Sequence, residues 1–213
     1  MIKVWGRATS SNVQTVLWTL AELGQEFDRV NVGGAFGGNN TADYLTMNPH
    51  GLIPVLQDGP DVTLWESTAI TRYLLATYGD EAIYPKDPAE RAKGDMWADW
   101  AKGSFASVLM YKVFWTLVRT PAADRDMAML AEAVAQLKSL LSKIEPVLEQ
   151  QDWISGDNLG YGDLIFGHLL YRYFTLPIDR ADLPALSAYY DKLTARPSYA
   201  ENVMVSYESL RVE

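Results

Sequence analysis

Residues 48–67 read NPHGLIPVLQDGPDVTLWES, and this stretch decides the fold. Two short apolar runs, Val55–Leu56 and Val62–Trp65, flank a Gly59-Pro60-Asp61 turn, which is the pattern of a β-hairpin. Pro54 stands at the start of the first run. Proline has no N–H to give to a ladder and is tolerated on an edge strand. A cis bond at Ile53–Pro54 is the other solution, turning the chain just before the strand. That arrangement leaves the Ile53 N–H and C=O facing outward, where an extended peptide can pair with them as an added strand. At the far end, Glu66 and Ser67 follow VTLW and open a helical segment, ESTAITRYLLATY, at 66–78. The free N–H groups and dipole of a first helical turn favour a negative group. A hydroxyl there either caps the helix or holds a carboxylate.

Towards the N-terminus, IKVW at 2–5 reads as a strand and NVQTVLWTLAEL at 12–23 as a helix. Val13, Val16, Leu17, Leu20 and Leu23 recur at helical spacing, and Gly24 stops the run. EFDRVN at 26–31 reads as a second strand, GGAFGG at 33–38 as a flexible loop, and 40–47 as a short helical turn broken by NPHGLIP. The order is β-α-β-α-β-β-α. After GDEAIYPKDP at 79–88 no strand pattern returns. Residues 89–117 form one long helical pattern, and Pro121 opens another that runs to about Gln150. A tight turn at Asp157–Gly162 leads to a helix from near Asp163, a fourth at 184–194 and a short one after Pro197. The expectation is an α/β unit at 1–79 and an all-helical unit at 89–213, joined by a linker.

The chain's 213 residues suffice for two small cores. Lys plus Arg total 18 against 27 Asp plus Glu, a net charge of -9, which argues against a nucleic-acid partner. Fields are local, however, and an acidic protein can still hold a small anion. There is no cysteine, so disulfides, Cys metal sites and a thiolate nucleophile of the chain's own are excluded. The two histidines, His50 and His168, are too far apart for an HExxH zinc motif, and no metal is expected. No apolar run approaches the roughly 18 residues of a membrane span. Residues 1–6 (MIKVWG) open no signal-peptide pattern, so a cytoplasmic protein with no membrane partner is expected.

Ser10, Ser11 and Asn12 form a second helix mouth, at the start of the 12–23 helix. One reading is an N-cap. A hydrolase-type serine would need a His base and a G-x-S-x-G elbow, and neither is present. A serine without a base serves better as a hydrogen-bond donor. Donated to a thiol sulfur, such a bond favours the thiolate and lowers its pKa. The sulfur must then arrive with a cofactor.

With these motifs in place, the chain resembles the glutathione transferase family, in particular bacterial theta-like members of the serine type. The resemblance rests on WGRATSSNVQTVLWTLAELG at 5–24, NPHGLIPVL at 48–56, LWESTAITRYL at 64–74 and SGDNLGYGDLIFGHLL at 155–170, in that order along nearly the whole chain. It implies a thioredoxin-like α/β N-terminal domain that binds glutathione and an all-α C-terminal domain that lines the second-substrate pocket. Ile53, before a cis Pro54, would pair with the cysteinyl backbone of the tripeptide. Glu66 and Ser67 would hold its γ-glutamyl end, and His50 would reach its glycyl carboxylate. The catalytic hydroxyl would be Ser10, with Ser11 a close second and Asn12 a further contact to sulfur. Trp5 stands where a tyrosine-type member would carry its tyrosine, and the cysteine-type mechanism is excluded by composition.

The family usually places Ser or Thr as the cap of its core helix; here Gly160 precedes the partner Asp163, a structural motif from which no catalysis is expected. Pocket candidates are Arg7, Trp100, Phe105, Leu109, Tyr111, Phe114 and Trp115, of which the apolar ones fit ordinary helix–helix core equally well. The resemblance also implies a homodimer with glutathione as co-substrate. The reaction expected is thiolate attack on a small hydrophobic electrophile. The alternatives are an isomerase, dehalogenase or ether-cleaving enzyme using the same thiolate, a catalytically silent glutathione-binding or interaction protein, and a structural dimer subunit with unrelated ligands.

Overall fold

A computed structural model of the chain describes residues 1–212. Its first half is β1 (Ile2–Trp5), α1 (Ser11–Glu22), β2 (Phe27–Val30), a 3-10 turn at Gly34–Phe36, α2 (Ala42–Met47), β3 (Val55–Asp58), β4 (Val62–Trp65) and α3 (Ser67–Tyr78). The strands form one mixed sheet in the order β2-β1-β3-β4. β1 runs parallel to β2 and antiparallel to β3, which closes the hairpin with β4. Val55 therefore faces Trp5 on one side and Trp65 on the other. β3 is an inner strand, so the edge-strand reading of Pro54 fails. The Ile53–Pro54 bond is cis, and the proline sits just outside the ladder, where no N–H is required of it.

Alternation along the strands sends Ile2, Val4 and Leu56 to the face covered by α1 and α3, with Val13, Val16, Leu17, Leu20, Ile70 and Leu74. Val55 points the other way, into a smaller cluster with Val32 and Tyr44 of α2. α1 is buried on all sides from Val13 to Leu20. Its second face belongs to the helical unit. There Trp18 meets Tyr199 edge-on at 4.9 Å, and the Thr15 hydroxyl donates to the Leu164 carbonyl at 3.0 Å.

The second half contains α4 (Pro88–Trp100), π-wound turns at Ala101–Phe105, α5 (Ala106–Val108), π-wound turns at Leu109–Arg119, α6 (Met127–Ser142), α7 (Glu145–Leu148), α8 (Tyr161–Thr175), α9 (Pro184–Thr194) and α10 (Pro197–Asn202). The long helix expected at 89–117 is one rod, but much of it is wound wider than an α-helix, a feature common at functional sites. The helix expected from Pro121 to Gln150 is corrected at both ends. It begins at Met127, because the Asp126 carboxylate accepts the Met129 amide at 2.9 Å and caps it there. It is interrupted after Ser142, because Pro146 has no N–H to continue the ladder.

α8 starts at Tyr161 and is the buried centre of this unit. Gly160 is its N-cap, and its amide donates to Asp163 Oδ2 at 2.9 Å. The missing cap hydroxyl comes from upstream: Ser155 Oγ accepts the Asp163 amide at 3.3 Å. A Cβ at position 160 would lie 2.8 Å from Ser155 Cβ, which explains the glycine in the cap position.

Candidate active site

The mouths of α1 and α3 face the rod of the helical unit. Ser10 is the N-cap of α1, with extended backbone (φ -86°, ψ 123°). Its carbonyl accepts the amides of Val13 and Gln14 at 3.0 and 2.9 Å, but its side chain makes no capping hydrogen bond. The hydroxyl is left free at the helix mouth. Ser11 is the first residue of the helix, and Asn12 follows with its amide oxygen turned to Lys102, whose Nζ donates to Oδ1 at 2.7 Å.

The same ammonium lies 3.4 Å from the Ser67 hydroxyl, at the buried start of α3. Lys102, from the π-wound turns after α4, thus joins the two helix mouths. Burial lowers its pKa, while the charge of Glu66 pulls it upward. Glu66 is the N-cap of α3 and the one non-glycine residue at positive φ (70°) among the described residues. A side chain held in that region is strained and is over-represented at functional sites.

Ile53 stands between these mouths and the loop carrying His50. The neighbouring Leu52 carbonyl accepts from the Tyr44 hydroxyl and the Asn48 amide, both at 2.8 Å, whereas the Ile53 N–H and C=O take part in no hydrogen bond of the described chain. They are free for a ligand backbone. His50 is exposed, with its ring edge-on to Trp65 at 5.0 Å.

Beyond Ser10–Asn12 lies a cleft of ≈ 210 Å³ whose walls are Arg7, Lys102, Met110, Tyr111, Phe114, Trp115, Arg119 and Arg172. It mixes aromatic walls with cations and contains no carboxylate. Among the described residues no group of three or more His, Asp or Glu side chains is arranged to hold a metal, and no helix is long and apolar enough to cross a membrane.

Two family models match the chain: "Glutathione S-transferase, N-terminal domain" over residues 1–76 and "Glutathione S-transferase, C-terminal domain" over residues 105–197. Glutathione S-transferase GstB of Escherichia coli (strain K12) is 38% identical over 206 residues, covering 96% of this chain and 99% of that protein. The chain belongs to the glutathione S-transferase family.

This transferase is also similar to the probable glutathione S-transferase GSTF1 of Oryza sativa subsp. japonica, 31% identical over 92% of this chain and 93% of that one. Among solved structures it resembles the theta class glutathione S-transferase from Xanthomonas axonopodis pv. citri with glutathione bound. That match has a TM-score of 0.90 and 47% identity, over 96% of this chain and 98% of that one.

Of the residues singled out from the transferase's sequence, Ser10, Ser11, Asn12, Arg7, Tyr111, Phe114 and Trp115 meet at the cleft. Ser67 adjoins it through the 3.4 Å approach of the Lys102 ammonium, whereas His50, Ile53 and Glu66 do not line it. Three pocket candidates are corrected. Phe105 and Leu109 are fully buried in the helical core, and Trp100 stacks on Phe105 at 5.9 Å and tilts onto Phe166 at 5.6 Å. Their apolar faces go to core packing, so they do not line the cleft. The sequence reading missed Lys102, Met110, Arg119 and Arg172. Lysine and arginine on a helical pattern read as solvated surface. Only the fold, which sets Lys102 against Asn12 and Arg172 against the Thr9 carbonyl, shows otherwise.

Proposed function

We propose that this glutathione transferase binds glutathione across the mouths of α1 and α3 and uses the Ser10 hydroxyl to hold its sulfur as a thiolate. The observation that carries the reading is a serine in the N-cap position of α1 whose hydroxyl does no capping, at the rim of an aromatic cleft, in a chain with no sulfur nucleophile of its own. The Ile53 backbone takes the cysteinyl part of the tripeptide in the manner of an added strand. Ser67, Glu66 and the first turn of α3 take the γ-glutamyl end, and His50 reaches towards the glycyl carboxylate. Lys102 sits between the γ-glutamyl and sulfur positions and adds a partly desolvated positive charge to both. Ser11 and Asn12 complete the sulfur side.

On this reading, residues 1–79 are the glutathione-binding domain and 89–213 the helical domain that lines the second-substrate cleft. The free thiol has a pKa of roughly 8.5, and each unit of depression corresponds to about 1.4 kcal/mol of preference for the anion. The thiol proton leaves to solvent. The thiolate then attacks an electrophilic carbon of a second substrate held in the cleft. The C–S bond forms as the bond to the leaving group breaks, and the leaving group departs with the electron pair. Proximity in the cleft supplies much of the remaining acceleration. The enzyme acts in the cytoplasm as a homodimer, the assembly typical of its family.

Incubation with glutathione and chlorodinitrobenzene tests the reaction type. The expected product is the thioether, with one glutathione consumed and one chloride released per turnover. An enzyme that consumes no glutathione, or that returns it after isomerising a substrate, refutes conjugation as its reaction.

A further inference from the structure

The protein is acidic, and its ion pairs among the described residues are spent elsewhere, as in Glu22–Arg196, Lys138–Asp179 and Lys192–Asp152. Four cations that line the cleft, Arg7, Lys102, Arg119 and Arg172, belong to none of these pairs. Arg172 is 2% exposed. Its Nη2 donates to the Thr9 carbonyl at 2.8 Å and its Nη1 to the Met110 sulfur at 3.5 Å, while its Nε has no partner. A buried guanidinium without a carboxylate is costly unless something else offsets its charge.

The cations also act on one another. Burial and then the charge of Arg7 push Arg172 down to about 10, and burial and then the charge of Arg119 lower Arg7. Arg7 is aimed by its own bond to Thr9 Oγ1 at 2.6 Å. The glycine-rich loop makes room for it: a Cβ at Gly34, itself at φ +60°, would lie 2.9 Å from Arg7 Nε. Two of the guanidiniums lie over aromatic walls, Arg172 at 4.6 Å from the Phe114 ring centre and Arg119 at 5.6 Å from that of Trp115. His50, Ile53, Glu66 and Ser67, the residues assigned to the tripeptide, do not line this cavity, whereas the three arginines do.

We infer that the second substrate is a compact aromatic electrophile bearing a carboxylate, which Arg7, Arg119 and Arg172 hold while its ring lies against Phe114 and Trp115. The inference deepens the proposed function and rests on its placement of the sulfur at Ser10. An anion in this place offsets the mutual repulsion of the three guanidiniums. The bidentate reach of arginine also fixes the ring relative to the thiolate.

Binding without chemistry tests the inference separately from the transferase reaction. Dinitrobenzoate and the corresponding dinitrobenzamide, which carry no leaving group, are titrated calorimetrically into the full chain with and without saturating glutathione. The expected result is binding of the acid about tenfold tighter than the amide, or more. That advantage should shrink in roughly 0.5 M salt and in Arg119→Gln, an exposed position whose replacement does not threaten folding. Arg7→Gln serves as the second variant. Acid that binds no better than amide, including the case in which neither binds, overturns the inference. So does a preference for the acid that disappears once glutathione is bound, because the arginines would then belong to the tripeptide. Failure of thioether formation with the preference for the acid intact would instead refute the proposed reaction and leave the anion site standing.

Discussion

Ser10→Ala separates the two roles that a serine at a helix mouth can play. Where an N-cap hydroxyl accepts a backbone amide, its loss costs about 0.5–2 kcal/mol of stability. The Ser10 side chain makes no such bond, so the cost of folding the variant should stay within about 0.5 kcal/mol, as for other substitutions that remove no contact. A hydroxyl bond to the thiolate is charge-assisted and worth about 1.5–3 kcal/mol. Divided by about 1.4 kcal/mol per pKa unit, its loss raises the pKa of the bound thiol by about one to two units. At a pH below the bound-thiol pKa of the unmutated enzyme the thiolate fraction, and kcat with it, falls about ten- to a hundredfold. On the proposed placement glutathione affinity changes much less, because Ile53, Ser67 and Lys102 would still hold the tripeptide. The assay pairs an ultraviolet pH titration of the bound thiolate with a thermal melt of the same preparation. A thiol pKa that stays put in Ser10→Ala but moves in Ser11→Ala transfers the role to the neighbouring serine. A pKa unmoved in both variants refutes hydroxyl stabilisation, and a large drop in Tm for Ser10→Ala refutes the claim that its hydroxyl caps nothing.

Lys102→Met keeps the stem and removes the charge, and should lower kcat/KM for glutathione about ten- to a hundredfold, read by initial rates at varied glutathione. His168 is fully buried, and burial first, then the Lys102 charge, hold its pKa down to about 3 despite the bond from its ring to the Leu164 carbonyl. An unfolded histidine takes up its proton near pH 6.5, so stability is complete above that value and is lost as pH falls towards 3. Between about pH 6.5 and 5 the loss from this group is about 2 kcal/mol, visible as a falling urea midpoint that His168→Phe flattens. Glu22→Ala leaves Arg196, Ser198 and the Trp18 indole N–H without their shared carboxylate and should destabilise by about 2–3 kcal/mol in denaturant melts. Gly160→Ala places a methyl against Ser155 and should cost about 1–3 kcal/mol, part of which the second change Ser155→Gly restores.

The sheet unit was legible because its signals are local. Alternation placed β1, β3 and β4, helical spacing placed α1 and α3, and turn residues placed the hairpin. The failures have physical causes of equal clarity. Nothing in the local sequence says whether the strand after Pro54 has one neighbour or two, and only the pairing of Val55 with both Trp5 and Trp65 decides it. Pro121 signals a helix start as well as Asp126 does, but the carboxylate that bonds the Met129 amide wins. Aromatic residues on the rod read alike whether they face core or cleft. Phe105 and Phe114 sit nine residues apart on the same pattern, yet Phe105 is sealed against Trp100 and Phe166 while Phe114 reaches the cavity. The wide π turns between them shift the phase of the rod, and no fixed helical period predicts that shift.

The cations of the cleft were invisible for a different reason, and that reason bears on how the enzyme is held together. Ser10, Asn12 and Ser67 come from the sheet unit; Lys102, Arg119 and Arg172 come from the helical unit. Each set is incomplete alone. What brings them into register is α1, buried from Val13 to Leu20 between the sheet and α8. It is fastened at one end by Thr15 to the Leu164 carbonyl and at the other by Glu22 to Arg196. The contact surface that docks the two units therefore also sets the distance between the hydroxyl and the cations. Loosening it at Glu22, far from the chemistry, moves Lys102 and Arg172 relative to Ser10 without touching any of them. Because electrostatic stabilisation in a partly desolvated site falls steeply with such displacements, activity should be lost at denaturant concentrations that leave the helices of each unit intact.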